Sequence, residues 1–292
     1  MTTRSVEAII RPGAPHYVGD GFRVHNFIPG NQGANMQRMN PFIMLDYNSK
    51  YHFTGTEKPR GVGVHPHRGF ETVTIAYQGK VAHHDSGGGG GVIAQGDVQW
   101  MTAASGVLHK EYHEEAWARE GGIFQMVQLW VNLPAKDKMS PPKYQAIKNE
   151  TIPQVDLDTA GSTVKVIAGN YQGTQGAAST FTPVHLFNAR LKSGARADFS
   201  FPAAYHTALL VIEGAITVNG KHEAPTDHFV LMGNDGEAFS IEASEDALVL
   251  VMSGEPIHEP IAAHGPFVMN TRQELIEAFD DFNQGKFGYL ED

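Results

Sequence analysis

The chain is cut by turn-forming residues into short segments in which apolar side chains alternate, and this punctuation excludes most folds. Such segments cover residues 72–77, 81–84, 125–133, 207–212, 216–219, 229–232 and 248–252. Between them stand Gln78-Gly79, Gln95-Gly96-Asp97, Glu213-Gly214, Asn219-Gly220 and Gly233-Asn234-Asp235-Gly236, which favour tight reversals. A period of two means strands, and many short strands with frequent turns build antiparallel sandwiches or barrels. The glycine run from Gly87 to Gly91 offers no side chain to bury and loses the most entropy on ordering, so a mobile loop rather than a strand is expected there. A phosphate-cradling loop is disfavoured, because no Lys follows the run and no helix signal opens after it.

A length of 292 residues points to two domains. The strand pattern stops at Ser140-Pro141-Pro142 and resumes near Thr163, which predicts an N-terminal barrel over 1–140, a linker over 141–162, a second barrel over 163–260 and a C-terminal segment over 261–292. In that last segment Thr271 and Glu274 fit a capping box. Leu275, Ala278, Phe279 and Phe282 share one helical face and Gly285 supplies a stop, so a helix over 272–284 is expected. Superposing Gly79 on Gly214 aligns two apolar strands that each end in a glycine turn, which suggests a duplicated unit.

Charge and composition narrow the chemistry. Acidic residues outnumber basic ones by 32 to 22, so there is no general positive field to collect phosphates, and direct nucleic-acid binding is disfavoured. Cysteine is absent, which removes disulfides, thiolate ligands and thiol nucleophiles. Fifteen histidines lean instead toward metal. The N-terminal stretch with Arg4, Glu7 and Arg11 has no apolar core and no 18-residue apolar run occurs, so a cytoplasmic protein without a membrane segment is expected.

His65-Pro66-His67 is the strongest chemical signal, since residues i and i+2 of a strand point to one face and both imidazoles can reach one ion. His109 and Glu111 repeat the device, with His113 a possible third member of that face. Each pair alone is more often an ordinary hydrogen-bonded or ion-pairing strand face. Together, in one barrel, they would set three imidazoles and a carboxylate around one ion. Such a mixed set suits six-coordinate Fe, Mn, Ni, Co or Cu with open positions better than a closed zinc site.

The segments His65-Pro66-His67-Arg68-Gly69-Phe70-Glu71-Thr72-Val73, Gly96-Asp97-Val98-Gln99-Trp100-Met101-Thr102-Ala103 and Gly106-Val107-Leu108-His109-Lys110-Glu111 closely resemble the pirin family of bicupins. Gln128-Leu129-Trp130-Val131-Asn132-Leu133 and Gly265-Pro266-Phe267-Val268-Met269-Asn270-Thr271 extend the resemblance over nearly the whole chain. It implies an all-β protein of two tandem cupin barrels, of the double-stranded β-helix or jelly-roll type, with a short C-terminal helix. It also implies one divalent transition metal, Fe2+ ahead of Mn, Ni, Co, Cu or Zn, held only in the first barrel by residues matching His65, His67, His109 and Glu111. Glu71, a common ligand in the wider cupin pattern, is then assigned a supporting role beside the ligands. His113 falls at the pocket rim. Ala104 stands where the family often has glycine, and its methyl would tilt the second ligand strand. Shifting the ligand positions by the offset between Gly79 and Gly214 lands on Ser200, Pro202, Ser244 and Asp246, which hold no metal set, and His185 and His206 read as structural.

The implied activity is that of a quercetin 2,3-dioxygenase, a flavonol-opening enzyme that uses O2 and releases carbon monoxide, with Glu111 as the base that takes the 3-hydroxyl proton. The partners expected are a flavonoid or other enol substrate and O2, in a pocket lined by Val62, Val64, Phe70, Trp100, His113 and Gln128. The alternative is a metal- or redox-dependent regulatory protein that binds a protein partner. A cupin isomerase or sugar-binding cupin is disfavoured by the missing ligands of the second half.

Overall fold

In the computed structural model, which describes residues 2–30 and 33–291, the alternating segments form antiparallel strands in two units. One unit takes the described residues within 14–28, 42–149 and 257–292. Its larger sheet has seven strands in the order Lys143–Ile147, Val98–Thr102, Phe70–Gln78, Gly121–Asn132, Phe42–Thr54, Phe22–Ile28 and His16–Val18. Its smaller sheet has four, in the order Gly61–His67, Val107–His113, Val81–Asp85 and Gly90–Ile93. The other unit takes the described residues within 1–13, 29–41 and 150–256, and again has sheets of seven and four strands. Its smaller sheet runs Arg196–Ser200, Ala238–Ala243, Ala215–Val218 and His222–Pro225. Strand Phe70–Gln78 is third in one large sheet and strand His206–Glu213 is third in the other, as the superposition of Gly79 on Gly214 suggests. Both units are cupin-type barrels, and no helix among the described residues is long and apolar enough to cross a membrane.

Domain boundaries differ from the expected ones because strand partners lie far away in sequence. The first strand, Val6–Ile10, pairs with Phe229–Met232 and completes the second unit's large sheet. The stretch 141–162, expected as a linker, instead carries Lys143–Ile147, paired with Val98–Thr102, and Gln154–Asp156, paired with Thr163–Ala168. Both are edge strands, whose half-exposed residues dilute the apolar alternation that marks central strands. The C-terminal segment from 257 onward belongs with the metal-candidate unit. Its helix spans Arg272–Asn283 with Gln284 as cap, and the capping box of Thr271 and Glu274 is formed.

The glycine run is also corrected. Gly90 and Gly91 open a strand that pairs with His84 and His83, since a ladder needs only backbone groups, and the carboxylate of Asp85 accepts hydrogen bonds from the amides of Gly87 and Gly89 at 2.7 and 2.9 Å.

Inward-facing residues of the metal-candidate unit sort into two zones. One is apolar, with Phe22, Val24, Phe53, Val81, Phe124 and Met126. His113 belongs to this zone rather than to a pocket rim: its ring lies 4.7 Å from those of Phe53 and Phe124 and 4.9 Å from that of Trp117, and its Nε2 bonds the carbonyl of Gly21 at 2.8 Å. Alternation carries it inward past Glu111, and depth along the strand decides what it meets. Burial pushes its pKa down to about 4. The unfolded chain therefore takes up a proton at this residue below about pH 6.5 while the folded chain does not, so stability falls as the pH drops from there toward 4. His113→Phe should flatten that decline by about one bound proton, read as the slope of unfolding free energy against pH from denaturant titrations between pH 7 and 4.5; an unchanged slope would place the ring in water.

Candidate metal centre

Strand Gly61–His67 lies against strand Val107–His113 with His65 opposite His109 and His67 opposite Val107. That register puts the three rings in contact, with centroids 4.2 Å apart for His65 and His109, 4.7 Å for His67 and His109 and 4.8 Å for His65 and His67. One nitrogen from each falls within 4.8 Å of the other two. The ladder slips between His109 and Glu111, where Val62 rather than Gly63 meets Glu111, so the edge strand bulges at Gly63-Val64. The carbonyl of Gly63 accepts from His65 Nδ1 at 2.8 Å, which leaves the Nε2 lone pair free.

These imidazoles meet the chemical demands of a metal. Burial lowers the pKa of His65 and lowers those of His67 and His109 well below the usual histidine range, with the neighbouring rings adding to the effect, so all three stay neutral. His109 has no hydrogen-bond partner at either nitrogen and His67 has none at Nδ1. Buried lone pairs without protons to receive are costly in a folded chain unless something binds them, and a divalent cation is the species that three converging neutral imidazoles suit.

Glu111 stands next in line after His109 on the same inward face but outside the three-histidine group. Thr74 Oγ1 lies 3.2 Å from its Oε1, and Gln128 Nε2 donates to its Oε2 at 3.3 Å. Burial raises its pKa to about 7 against the pull of those two groups. Glu71 accepts from Thr102 Oγ1 at 2.7 Å and sits with Trp100, away from the histidines. The turn after His67 is pinned from three sides: Lys138 Nζ donates to the carbonyls of Gly69 and Val268 and to Asn132 Oδ1, and Arg68 donates to the carbonyl of Ser105 and to Asp281. Ala104 adopts the left-handed conformation, φ +39°, that favours glycine.

Of the six residues expected to line a pocket, two stand by the metal centre. Phe70 stacks on Trp130 at 4.1 Å and lies 5.1 Å from His67, and Gln128 holds Glu111. Val62 packs with the apolar zone, as His113 does, because the bulge turns it inward below the histidines. Val64 and Trp100 alternate onto the opposite faces of their strands. The residues that sequence reading passed over are Thr74, Trp130, His83 and Tyr144. His83 Nε2 bonds the Tyr144 hydroxyl at 2.5 Å, and its strand neighbour across the ladder is Glu111. Threonine at 72 and 74, alternating with Val73 and Ile75 in a mostly apolar strand, was the available signal.

Residues 21–131 match the sequence profile described as Pirin, and 186–288 match that described as Pirin C-terminal cupin domain. A protein of Pseudomonas aeruginosa with the provisional name quercetin 2,3-dioxygenase is 46% identical over 272 residues, covering 93% of this chain and 94% of its own length. A pirin-like protein of Caulobacter vibrioides is 38% identical over 98% of this chain and its entire length. The crystal structure of a quercetin 2,3-dioxygenase from Acinetobacter baumannii superposes with a TM-score of 0.93 at 47% identity, covering 99% of this chain and all of that one. This chain belongs to the pirin family.

The second cupin of this pirin has a different interior. The strands that occupy the places of Gly61–His67 and Val107–His113 are Arg196–Ser200 and Ala238–Ala243, and their inward residues are Ala197, Phe199, Phe239 and Ile241, all in one apolar core. His185 packs on the rings of Phe187 and Phe201, and His206 Nδ1 bonds the carbonyl of Asn40 at 2.7 Å, so both have structural surroundings. His109→Ala should therefore remove bound metal while His185→Ala keeps it, as read by elemental analysis of protein loaded with one equivalent of Fe2+ or Mn2+. Equal metal content in the two variants would move the ion elsewhere.

Proposed function

We propose that this pirin is a metal-dependent dioxygenase that opens a flavonol ring, a quercetin 2,3-dioxygenase consuming O2 and releasing carbon monoxide. The observation that carries the proposal is the trio of neutral imidazoles, His67 and His109 buried and His65 half-buried, at the mouth of a polar barrel interior, with a buried carboxylate next along the strand. The likeness to the Acinetobacter baumannii enzyme supports the substrate class.

His65, His67 and His109 would hold the ion, with Glu111 completing the set or turning to the substrate. Fe2+ is the ion proposed, with Mn, Ni, Co, Cu and Zn as the other ions a nitrogen and oxygen set accepts. Bound there, the ion supplies Lewis acidity to an enol oxygen and an open position for O2. Glu111 takes the proton of the flavonol 3-hydroxyl onto its carboxylate, and Thr74 and Gln128 hold that carboxylate in place before and after the transfer. Phe70 and Trp130 form a flat apolar wall beside His67, against which a planar ring system stacks and from which water is displaced.

Oxygen uptake by iron-, manganese- and copper-loaded protein with quercetin under air tests the proposal. Uptake should require metal, vanish in His65→Ala, and fall about 100-fold or more in Glu111→Gln at unchanged metal content. No uptake by fully loaded protein would reject the dioxygenase and leave the regulatory protein, whose metal state governs binding to a protein partner, as the reading to pursue.

A further inference from the structure

Thr72 and Gln99 are both fully buried, yet Thr72 Oγ1 and both polar atoms of the Gln99 amide have no hydrogen-bond partner. Their positions on the large sheet of the metal-candidate unit are fixed by register. Gln99 lies opposite Thr74 on one side and Ala146 on the other, while Thr72 lies opposite Met101 and Trp130. Alternation puts Thr72 and Gln99 on the face of Thr74, whose hydroxyl reaches Glu111 and Gln128, so both point into the barrel interior that the small sheet's histidines enter from the other side.

Leaving such groups unsatisfied in a folded chain is costly, and an apolar side chain of the same shape would avoid that cost. Native proteins keep few of them. The surrounding groups do not explain them as parts of an internal network, because Thr74 and Gln128 are already engaged with each other and with Glu111. An amide offers N–H donors and a carbonyl acceptor side by side, and a threonine hydroxyl can serve as either.

We infer that Thr72 and Gln99 form a second recognition point inside the barrel, a subsite for a ligand edge that carries a hydrogen-bond donor beside an acceptor, as the hydroxylated ring of a polyphenol does. This rests on the flavonol reading of the same barrel and adds which part of the ligand is read: one end by the metal centre, the hydroxyl-bearing end by Gln99 and Thr72. Neither side chain is charged, so the edge they select is neutral. A flavonol stripped of its ring hydroxyls would leave the amide unpaired, and sites built to bond a hydroxyl discriminate strongly against ligands that lack it.

The test is calorimetric titration of zinc-loaded protein under nitrogen, where no turnover occurs, with quercetin and with 3-hydroxyflavone, which keeps the enol but lacks the other hydroxyls. Wild-type protein should prefer quercetin by about tenfold or more, corresponding to the energy of one buried hydrogen bond to a satisfied partner. Gln99→Met, close in shape, should erase most of that preference with little change in affinity for 3-hydroxyflavone, and Thr72→Val should reduce it in part. The ligand-free Gln99→Met protein should melt at a higher temperature than wild type, because an unsatisfied amide has been removed; an amide with a structural role would lower it. A wild-type protein without the preference, variants that keep it, or a lowered melting temperature in Gln99→Met would overturn the inference. A preference that depends on Gln99 in a protein that consumes no oxygen with quercetin would preserve the subsite and remove only the reaction.

Discussion

The register between strands Gly61–His67 and Val107–His113 is the constraint from which the chemistry of this protein follows. Because side chains alternate with a period of two, a slip of one residue would send His109 and Glu111 to the outer face and leave His65 and His67 without partners. The bulge at Gly63-Val64 lets the same edge strand face inward twice, with Val62 sealing the apolar zone and His65 and His67 entering the polar one. The turn that follows His67 cannot drift, since Lys138, Arg68 and the Phe267–Met269 strand hold it.

A barrel that buries imidazoles, a carboxylate and an amide on its inner face gives up part of the apolar interior that would otherwise stabilise it. The loss is confined to one zone. Phe22, Phe53, Phe124 and Trp117 close the other zone around His113, and the second cupin fills the places of the ligand strands with Phe199, Phe239 and Ile241. The two copies of one topology thus differ in their inward residues, polar around the three histidines and aromatic at the places of the ligand strands. Neutrality of the three histidines is a product of the same burial, and it is the state in which imidazole coordinates.

Much of this was legible in the sequence, for reasons that particular residues make plain. The central strands announce themselves by alternation between glycine turns, and His65-Pro66-His67 and His109 to Glu111 by spacing, because a strand converts a gap of two into a shared face. Edge strands were less legible: Lys143–Ile147 and Gln154–Asp156 sit in a polar stretch that reads as a linker, and Val6–Ile10 gives no hint that its partner is Phe229–Met232. His113 obeys the spacing rule and still misses the metal centre, since the rule fixes the face and not the depth along it. Gly90 and Gly91 form a ladder without side chains, which composition cannot reveal. Thr72, Thr74 and Gln99 were visible only as polar residues in apolar strands, and it took the pairing of three strands to set them in one interior.

Anomalous diffraction from crystals of manganese- or iron-loaded protein tests the central claim most directly. The account predicts a single strong peak per chain within bonding distance, about 2.0–2.3 Å, of one nitrogen from each of His65, His67 and His109, with Glu111 the nearest carboxylate. A peak elsewhere, or a fully loaded crystal with no peak among these three rings, would contradict it.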